Sequence, residues 1–310
     1  MMTVMFATRD GARWIEQTLE SFCALVPPVG GFRIVAVDNG SRDGTDAILA
    51  RYAVRLPLVL LHEARAGKNC ALNTGLAHVA GDLVAFTDDD VLVAPDWLLE
   101  LRRVADAHPG FAMFGGRIEP AWPALPPDWL LDAINPAMVY AVTGTAHRDG
   151  EIAPRLIFGP NMMVRADRFA AGLRFDEAIG PDGTSRYAMG SETALLLELE
   201  ARGERAWFAN ACCVHHIVRR EQLDPAWIAG RYYRSGRSKG RRLYAEYHGP
   251  LFCGLPRYVW RSCADAAWHW LQAHVGGSRR ARFASRLALA RWHGIVSEYR
   301  RCRASEARGG

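Results

Sequence analysis

The first hundred residues alternate short apolar runs with helix-like stretches, and no other feature restricts the fold so much. The runs Thr3–Ala7, Arg33–Val37, Leu58–Leu61 and Leu83–Phe86 read as strands, with helices expected near Ala12–Leu25, Asp43–Tyr52, Asn69–Val79 and Pro95–Ala107. Strands that alternate with helices imply a largely parallel α/β sheet covered by helices. In open sheets of this kind, ligands collect beyond the carboxyl ends of the strands. The polar residues of the segment sit there: Thr8 and Asp10 after the first run, Asp38 after the second, and Asp88, Asp89 and Asp90 after the fourth.

Adjacent carboxylates repel, so a cluster at a strand end calls for a cation or for hydrogen-bond donors. An acidic loop before the next helix would need only one capping carboxylate. Hard oxygen ligands suit Mg²⁺ or Mn²⁺, which bind through one or two carboxylates plus substrate phosphates. A diphosphate leaving group gains most, because a metal neutralises charge that builds on its oxygens. The segment from Val37 to Thr45 is a strand end, a turn and a helix start, in which Asn39-Gly40 suits the turn and Asp43 or Ser41 caps the helix. The turn explains Asp38 less well. A carboxylate at that place suits the imide N–H of a pyrimidine. Gly67-Lys68 opens a helix whose N-terminal N–H groups favour an anion, although a solvated lysine accounts for Lys68 equally well and the spacing is not that of a P-loop.

With 310 residues and 50% hydrophobic content, the chain can bury a sizeable core as one large domain or a domain with an appendage. The seven cysteines include no CxxC pair, which argues against a zinc ribbon or a disulfide framework and fits a reducing cytosol. The opening residues are too short for a signal h-region, and no later run approaches the roughly 20 apolar residues of a spanning helix. Net charge is divided unevenly. From Ile217 onward 19 Lys/Arg oppose 6 Asp/Glu, giving +13, whereas residues 1–216 carry 19 and 27, giving −8.

The pieces Ala7-Thr8-Arg9-Asp10, Val37 to Thr45, Gly67-Lys68 to Gly75, Ala80-Gly81-Asp82 and Thr87 to Val91 occur in the order seen in family-2 glycosyltransferases, which the chain resembles over its first hundred residues. The resemblance implies a GT-A fold, a nucleotide-diphosphate sugar donor, a divalent metal (Mn²⁺ or Mg²⁺) and inverting transfer by a single displacement, an EC 2.4 activity. It implies that Thr8 and Asp38 meet the base, that Asp10 also binds the nucleotide sugar, that Lys68 approaches the nucleotide, that Asp88 or Asp89 contacts the ribose, and that Asp90 binds the metal. The family's usual Pro-Thr-Tyr-Asn is Ala7-Thr8-Arg9-Asp10 here, so the stacking Tyr is missing.

Gly190-Ser191-Glu192-Thr193-Ala194-Leu195 resembles the family's Gly-Glu-Asp-x-Glu-Leu helix start, which implies that Glu192 is the base that deprotonates the acceptor. A glutamate that favours the helix dipole is the plainer reading. The Val-x-His pattern aligns His216 as a further metal or diphosphate ligand, with His215 as competitor. The resemblance extends to Arg231 and Arg234 as diphosphate ligands, or as solvent-facing charges, and to Asn161 beside the acceptor, or as a stabiliser of its turn.

These readings lead us to expect a catalytic domain over 1–220, with a nucleotide-sugar half (1–110) and an acceptor half (111–220), and a helical, basic and aromatic extension over 221–310. The acceptor is expected to be a glycan or a lipid-linked glycan, in cell-surface polysaccharide biosynthesis. Trp260, Trp268, Trp270 and Trp292 among many arginines suggest either a packed helical appendage or peripheral contact with an acidic membrane, at the inner face of the cell membrane in an otherwise cytoplasmic protein. No nucleic-acid reader motif accompanies the charge, so no nucleic acid is expected. Rival readings are a nucleotidyltransferase, for which the loop after the first strand is a poor match, and a scaffold that binds a nucleotide sugar without turnover.

Overall fold

The four early apolar runs form the parallel half of one sheet. In the computed structural model, which describes residues 1–309 and side chains through Glu306, β1 (Met2–Thr8), β2 (Phe32–Asp38), β3 (Leu58–His62) and β4 (Leu83–Phe86) lie in the order β3-β2-β1-β4. All three pairings are parallel. Helices α1 (Ile15–Cys23), α2 (Thr45–Tyr52) and α3 (Lys68–Leu76) connect them. Alternation along the central strands feeds two cores, as side chains of period two must. Val4, Phe6, Ile34 and Ala36 join one, with Ile15, Leu19 and Trp97. Met5, Val35 and Val37 join the other, with Leu72, Phe86 and Leu195. Each fully buried large side chain contributes about 1.5–3 kcal/mol, so the strand tips stand on a stiff base.

Beyond β4 the chain adds β5 (Val91–Val93), α4 (Trp97–Ala107), β6 (Met113–Ala121), α5 (Asp128–Leu131), α6 (Pro136–Tyr140), β7 (Gly150–Ile152), β8 (Met162–Arg165), α7 (Ala166–Ala170), α8 (Ser191–Ala201) and β9 (Ala206–Ile217). The sheet continues as β4-β8-β6-β9-β5, with β7 also on β9. Six strands (β1 to β4, β6, β9) run one way and β5, β7 and β8 the other, so the sheet is mainly parallel. This sheet and its helices make one unit of Met1–Ala121, Tyr140–Gly183 and Ser191–Ile217.

A second unit comprises Trp122–Val139, Thr184–Gly190 and Val218–Gly310. Its frame is α9 (Pro225–Glu246), the small hairpin β10 (Leu251–Phe252) and β11 (Leu255–Pro256), α10 (Arg257–Gly276) and α11 (Arg279–Gly309). Asp224 caps α9 by accepting the N–H groups of Ala226 (2.5 Å) and Trp227 (3.2 Å), and Pro225 fits the first turn. α9 and α11 approach at Gly236, Gly240 and Gly294, where an added Cβ would run into the backbone of the facing helix.

Candidate active site

Parallel strands deliver their carboxyl ends to one edge, and the register pairs Thr8, the last residue of β1, with Asp38, the last of β2. Both are buried. The Thr8 hydroxyl donates to the Asp89 carboxylate, and Thr18 donates to the Asp89 carbonyl at 3.0 Å, so the acidic tip is tied to β1 and α1. Gly11 makes room for this contact. A Cβ there would lie 2.5 Å from Asp89 Oδ2 and 2.6 Å from Thr8 Oγ1. Asp38 accepts the backbone N–H and hydroxyl of Ser41, with His62 Nδ1 3.5 Å away. Asp10, at φ +52°, accepts the Arg42 N–H (2.8 Å) and donates its own N–H to the Ser41 hydroxyl oxygen (2.9 Å), which staples the loop after β2. Asp43 accepts the Thr45 N–H at the start of α2 and the Ala12 N–H. Burial opposes its charge, but the Thr45 hydroxyl, which also donates to it, and then those N–H groups hold its carboxyl below the usual range.

The acidic tip meets β9 through strand pairing. β5 runs antiparallel to β9 with Val91 opposite His216, and the Ile217 N–H donates to the Asp90 carbonyl at 2.8 Å. This brings His216 Nε2 to 3.3 Å from Asp90 Oδ1, while His215 is exposed. His216 Nδ1 lies 2.6 Å from the Tyr140 carbonyl, which can only accept, so Nδ1 carries a proton and Nε2 faces the carboxylates. One donor atom each from Asp88, Asp90 and His216 lies within 4.8 Å of the others. Burial disfavours the imidazolium, but Asp90 and then Asp88 outweigh it and lift His216 above its ordinary value. Asp88, expected on the ribose side, thus joins the cluster, and it also accepts from Lys68 Nζ. Lys68 is affected by burial in the same sense, yet Asp88, Glu192 and Asp89 raise its pKa.

At the start of α3 two N–H groups are taken up within the protein. Gly67 N–H donates to Asn39 Oδ1 (2.8 Å) and Lys68 N–H to the Pro181 carbonyl (2.8 Å). Glu192 lies in the first turn of α8, near enough to Lys68 to stabilise its charge, and accepts no hydrogen bond among the described residues. Asn161 is fully engaged: its Oδ1 accepts Trp97 Nε1 (3.0 Å), and its Nδ2 donates to the carbonyls of Arg117 (3.0 Å) and Cys212 (2.7 Å). No N–H is left for a sugar hydroxyl, so Asn161 ties β6 and β9 to α4. Arg231 and Arg234 belong to the helical unit, with guanidinium groups over Trp227 (5.6 Å) and Tyr187 (5.2 Å) and buried Nε atoms that have no hydrogen-bond partner. Burial presses Arg234 below the usual arginine range.

The family model for glycosyl transferase family 2 matches residues 3–174, which contain the strand tips and the acidic cluster. The chain belongs to glycosyl transferase family 2. Succinoglycan biosynthesis protein ExoM of Rhizobium meliloti (strain 1021) is 28% identical to this transferase over 290 residues, covering 89% of the chain and 86% of the relative. Glucosyl-dolichyl phosphate glucuronosyltransferase of Haloferax volcanii is 25% identical over 230 residues, covering 72% and 71%. Among solved structures, mannosyltransferase PcManGT from Pyrobaculum calidifontis in complex with GDP-Man and Mn²⁺ aligns with a TM-score of 0.65 at 20% identity, covering 96% of this chain and 86% of that one. The architecture is the GT-A fold that the resemblance implied.

In this family 2 transferase, two carboxylates and an imidazole with a committed tautomer form a donor set that fits a divalent cation. Three supporting residues escaped the sequence reading. Gly11 permits the Thr8–Asp89 contact, Tyr140 orients His216 through its carbonyl, and Asn39 binds the Glu63 and Arg65 carbonyls (2.9 and 2.7 Å) to shape the loop before α3. Only Gly11 left a signal, as a glycine just past a strand tip.

Proposed function

We propose that this family 2 enzyme is an inverting, metal-dependent transferase that moves a sugar from a nucleotide-diphosphate donor to a glycan or lipid-linked acceptor in surface polysaccharide assembly. The observation that carries the reading is the convergence of Asp88, Asp90 and His216 within 4.8 Å on the carboxyl edge of the sheet. Mn²⁺ is favoured over Mg²⁺, because an imidazole belongs to the donor set and Mg²⁺ prefers oxygen. Held by Asp90, His216 and Asp88, the ion would neutralise charge on the departing diphosphate. Thr8, Asp38 and Asp89 would hold the base and ribose. Asp10 shapes the loop beneath them, and Lys68 pairs with Asp88.

In this reading Glu192 accepts the proton of the acceptor hydroxyl as its oxygen attacks the anomeric carbon opposite the diphosphate. The bond from that carbon to the diphosphate oxygen breaks, the nucleoside diphosphate leaves, and the anomeric centre inverts. Glu192 suits the task because, among the described residues, no hydrogen bond consumes its carboxylate. The relatives named for succinoglycan biosynthesis and for a dolichyl phosphate sugar support a polymeric or lipid-linked acceptor. No helix among the described residues is long and apolar enough to cross a membrane, so work on such an acceptor calls for peripheral attachment, which we place at the cytoplasmic face.

The test is a thermal-shift screen of nucleotide-diphosphate sugars with and without Mn²⁺, followed by donor turnover with the hits. Binding to the folded state raises apparent stability, by about 2.7 kcal/mol at a hundred times Kd. We expect a Mn²⁺-dependent shift and release of nucleoside diphosphate. Binding without any hydrolysis or transfer would make the chain a scaffold instead.

A further inference from the structure

α10 is apolar on two opposite sides, and only one of them is covered. Val259, Cys263, Ala266 and Ala273 recur at helical spacing on the inward side, and three of these four are buried. Trp260, Ala264, Trp268, Leu271 and Val275 recur at the same spacing on the other side and are exposed, Trp268 by 58%, Leu271 by 48% and Val275 by 84%. An ordinary surface helix is polar on its outer side. Over fifteen residues the stripe runs about 22 Å. The β10–β11 hairpin extends it. Its Phe252 is 57% exposed, and its Phe252 carbonyl accepts Trp260 Nε1 at 2.8 Å.

Charge decides what such a face can meet. Residues 251–310 carry eleven Arg and three Asp/Glu, a net of +8, and Asp265 is the only acid on α10. Arg257 and Arg261 are exposed on α10, and the Arg300 guanidinium lies 5.9 Å over the Trp260 ring. A second copy of the chain, docked by the same patch about a two-fold axis, would set these arginines against their equivalents. Anionic lipid headgroups would instead neutralise them while the indoles and Leu271 enter the acyl boundary.

We propose that the outward side of α10, with the tip of the β10–β11 hairpin, docks on an anionic lipid surface and lies in its interface plane. This names the surface for the peripheral attachment proposed above, yet it is independent of whether the sheet unit transfers sugar. The full-length chain is floated with vesicles of phosphatidylglycerol and of phosphatidylcholine at low and high salt, and nucleotide-sugar turnover is measured separately. The chain should partition to phosphatidylglycerol at least about tenfold more strongly than to phosphatidylcholine, and high salt should weaken this. The double variant W268E/L271E should lose flotation while keeping its helical circular dichroism and melting temperature, since both side chains face solvent. A wild-type chain that stays with the solute at low salt, or a variant that floats as well as wild type, overturns the proposal. So does a dimer in sedimentation that W268E/L271E splits when flotation is absent, since the face would then serve a second copy. A wild-type chain that fails to float while its turnover is intact would sink the docking alone.

Discussion

The molecule contains two clusters of buried charge, and they are built to opposite plans. In the helical unit the carboxylate of Glu298 is fully buried and saturated. Arg237 donates through Nε (2.7 Å) and Nη2 (2.5 Å), and Arg301 donates from one turn further along α11 (2.5 Å). Burial opposes the charge, but Arg301 and Arg237 outweigh it and hold Glu298 below the usual carboxylate range. In the sheet unit three adjacent carboxylates lie near Lys68, and donor atoms from Asp88, Asp90 and His216 gather at a common volume. The first cluster closes on itself and can only hold helices together. The second gathers two carboxylates and an imidazole on one volume, which is the donor set a divalent cation takes.

Substitutions that separate activity from stability are the direct way to break this contrast. The largest effect should come from Glu192→Gln, which keeps shape but cannot take a proton. We expect kcat to fall by about 10²–10⁴-fold with donor affinity unchanged, read by turnover beside donor titration. Asp90→Asn should follow, with activity down about 10²–10³-fold, since a metal's electrostatic contribution is several kcal/mol. Its Mn²⁺-dependent thermal shift should vanish while the melting temperature without metal barely moves. If Asp90→Asn unfolds the protein as readily as a change at Glu298, the strand-tip cluster is structural as well.

The contrast was only half visible in the sequence. Strand tips were legible because apolar runs of four or five residues end in polar ones, and a parallel sheet must gather such ends at one edge. Asp90 was legible for the same reason. Its partner was not, because β5 and β9 meet across some 120 residues of chain, and only their register decides that His216 turns toward Asp90 while His215 turns outward. Asn39 read as a turn residue, and nothing local announced that its amide would bind the loop before α3. Asn161 was open to two readings, and its three bonds to Trp97, Arg117 and Cys212 favour the structural one. In the helical unit, composition marked a basic and aromatic segment. Which side of α10 is covered depends on tertiary packing.

Glu298→Gln sharpens the comparison from the other side. Arg237 is 13% exposed and would lose its counter-charge, whereas Arg301 reaches solvent and its share of the pair is small. A destabilisation of about 3 kcal/mol in urea is expected, with turnover per folded molecule intact. The pH dependence carries a definite sign. The folded Glu298 has a lowered pKa, so its contribution is complete above the ordinary glutamate value and is lost as pH falls through the folded value. Acid unfolding of the Gln variant should lack that component.

Thr8→Val is the smallest change and the most discriminating for the acidic tip. Valine keeps the volume and the strand preference of threonine, so β1 should remain as it is. What disappears is one hydroxyl that donates to Asp89, a group also placed by Thr18 through its carbonyl and by the space Gly11 leaves. A hydrogen bond to a charged acceptor contributes about 1.5–3 kcal/mol, and a partly exposed Asp89 recovers part of this from water, so the donor KM should rise about tenfold with kcat little changed. A fall in kcat with KM constant would mean that Thr8 and Asp89 serve the reacting centre and not the nucleotide. No change in either would mean that Asp89, unlike Asp88 and Asp90, belongs with Glu298 among the carboxylates that only hold the fold.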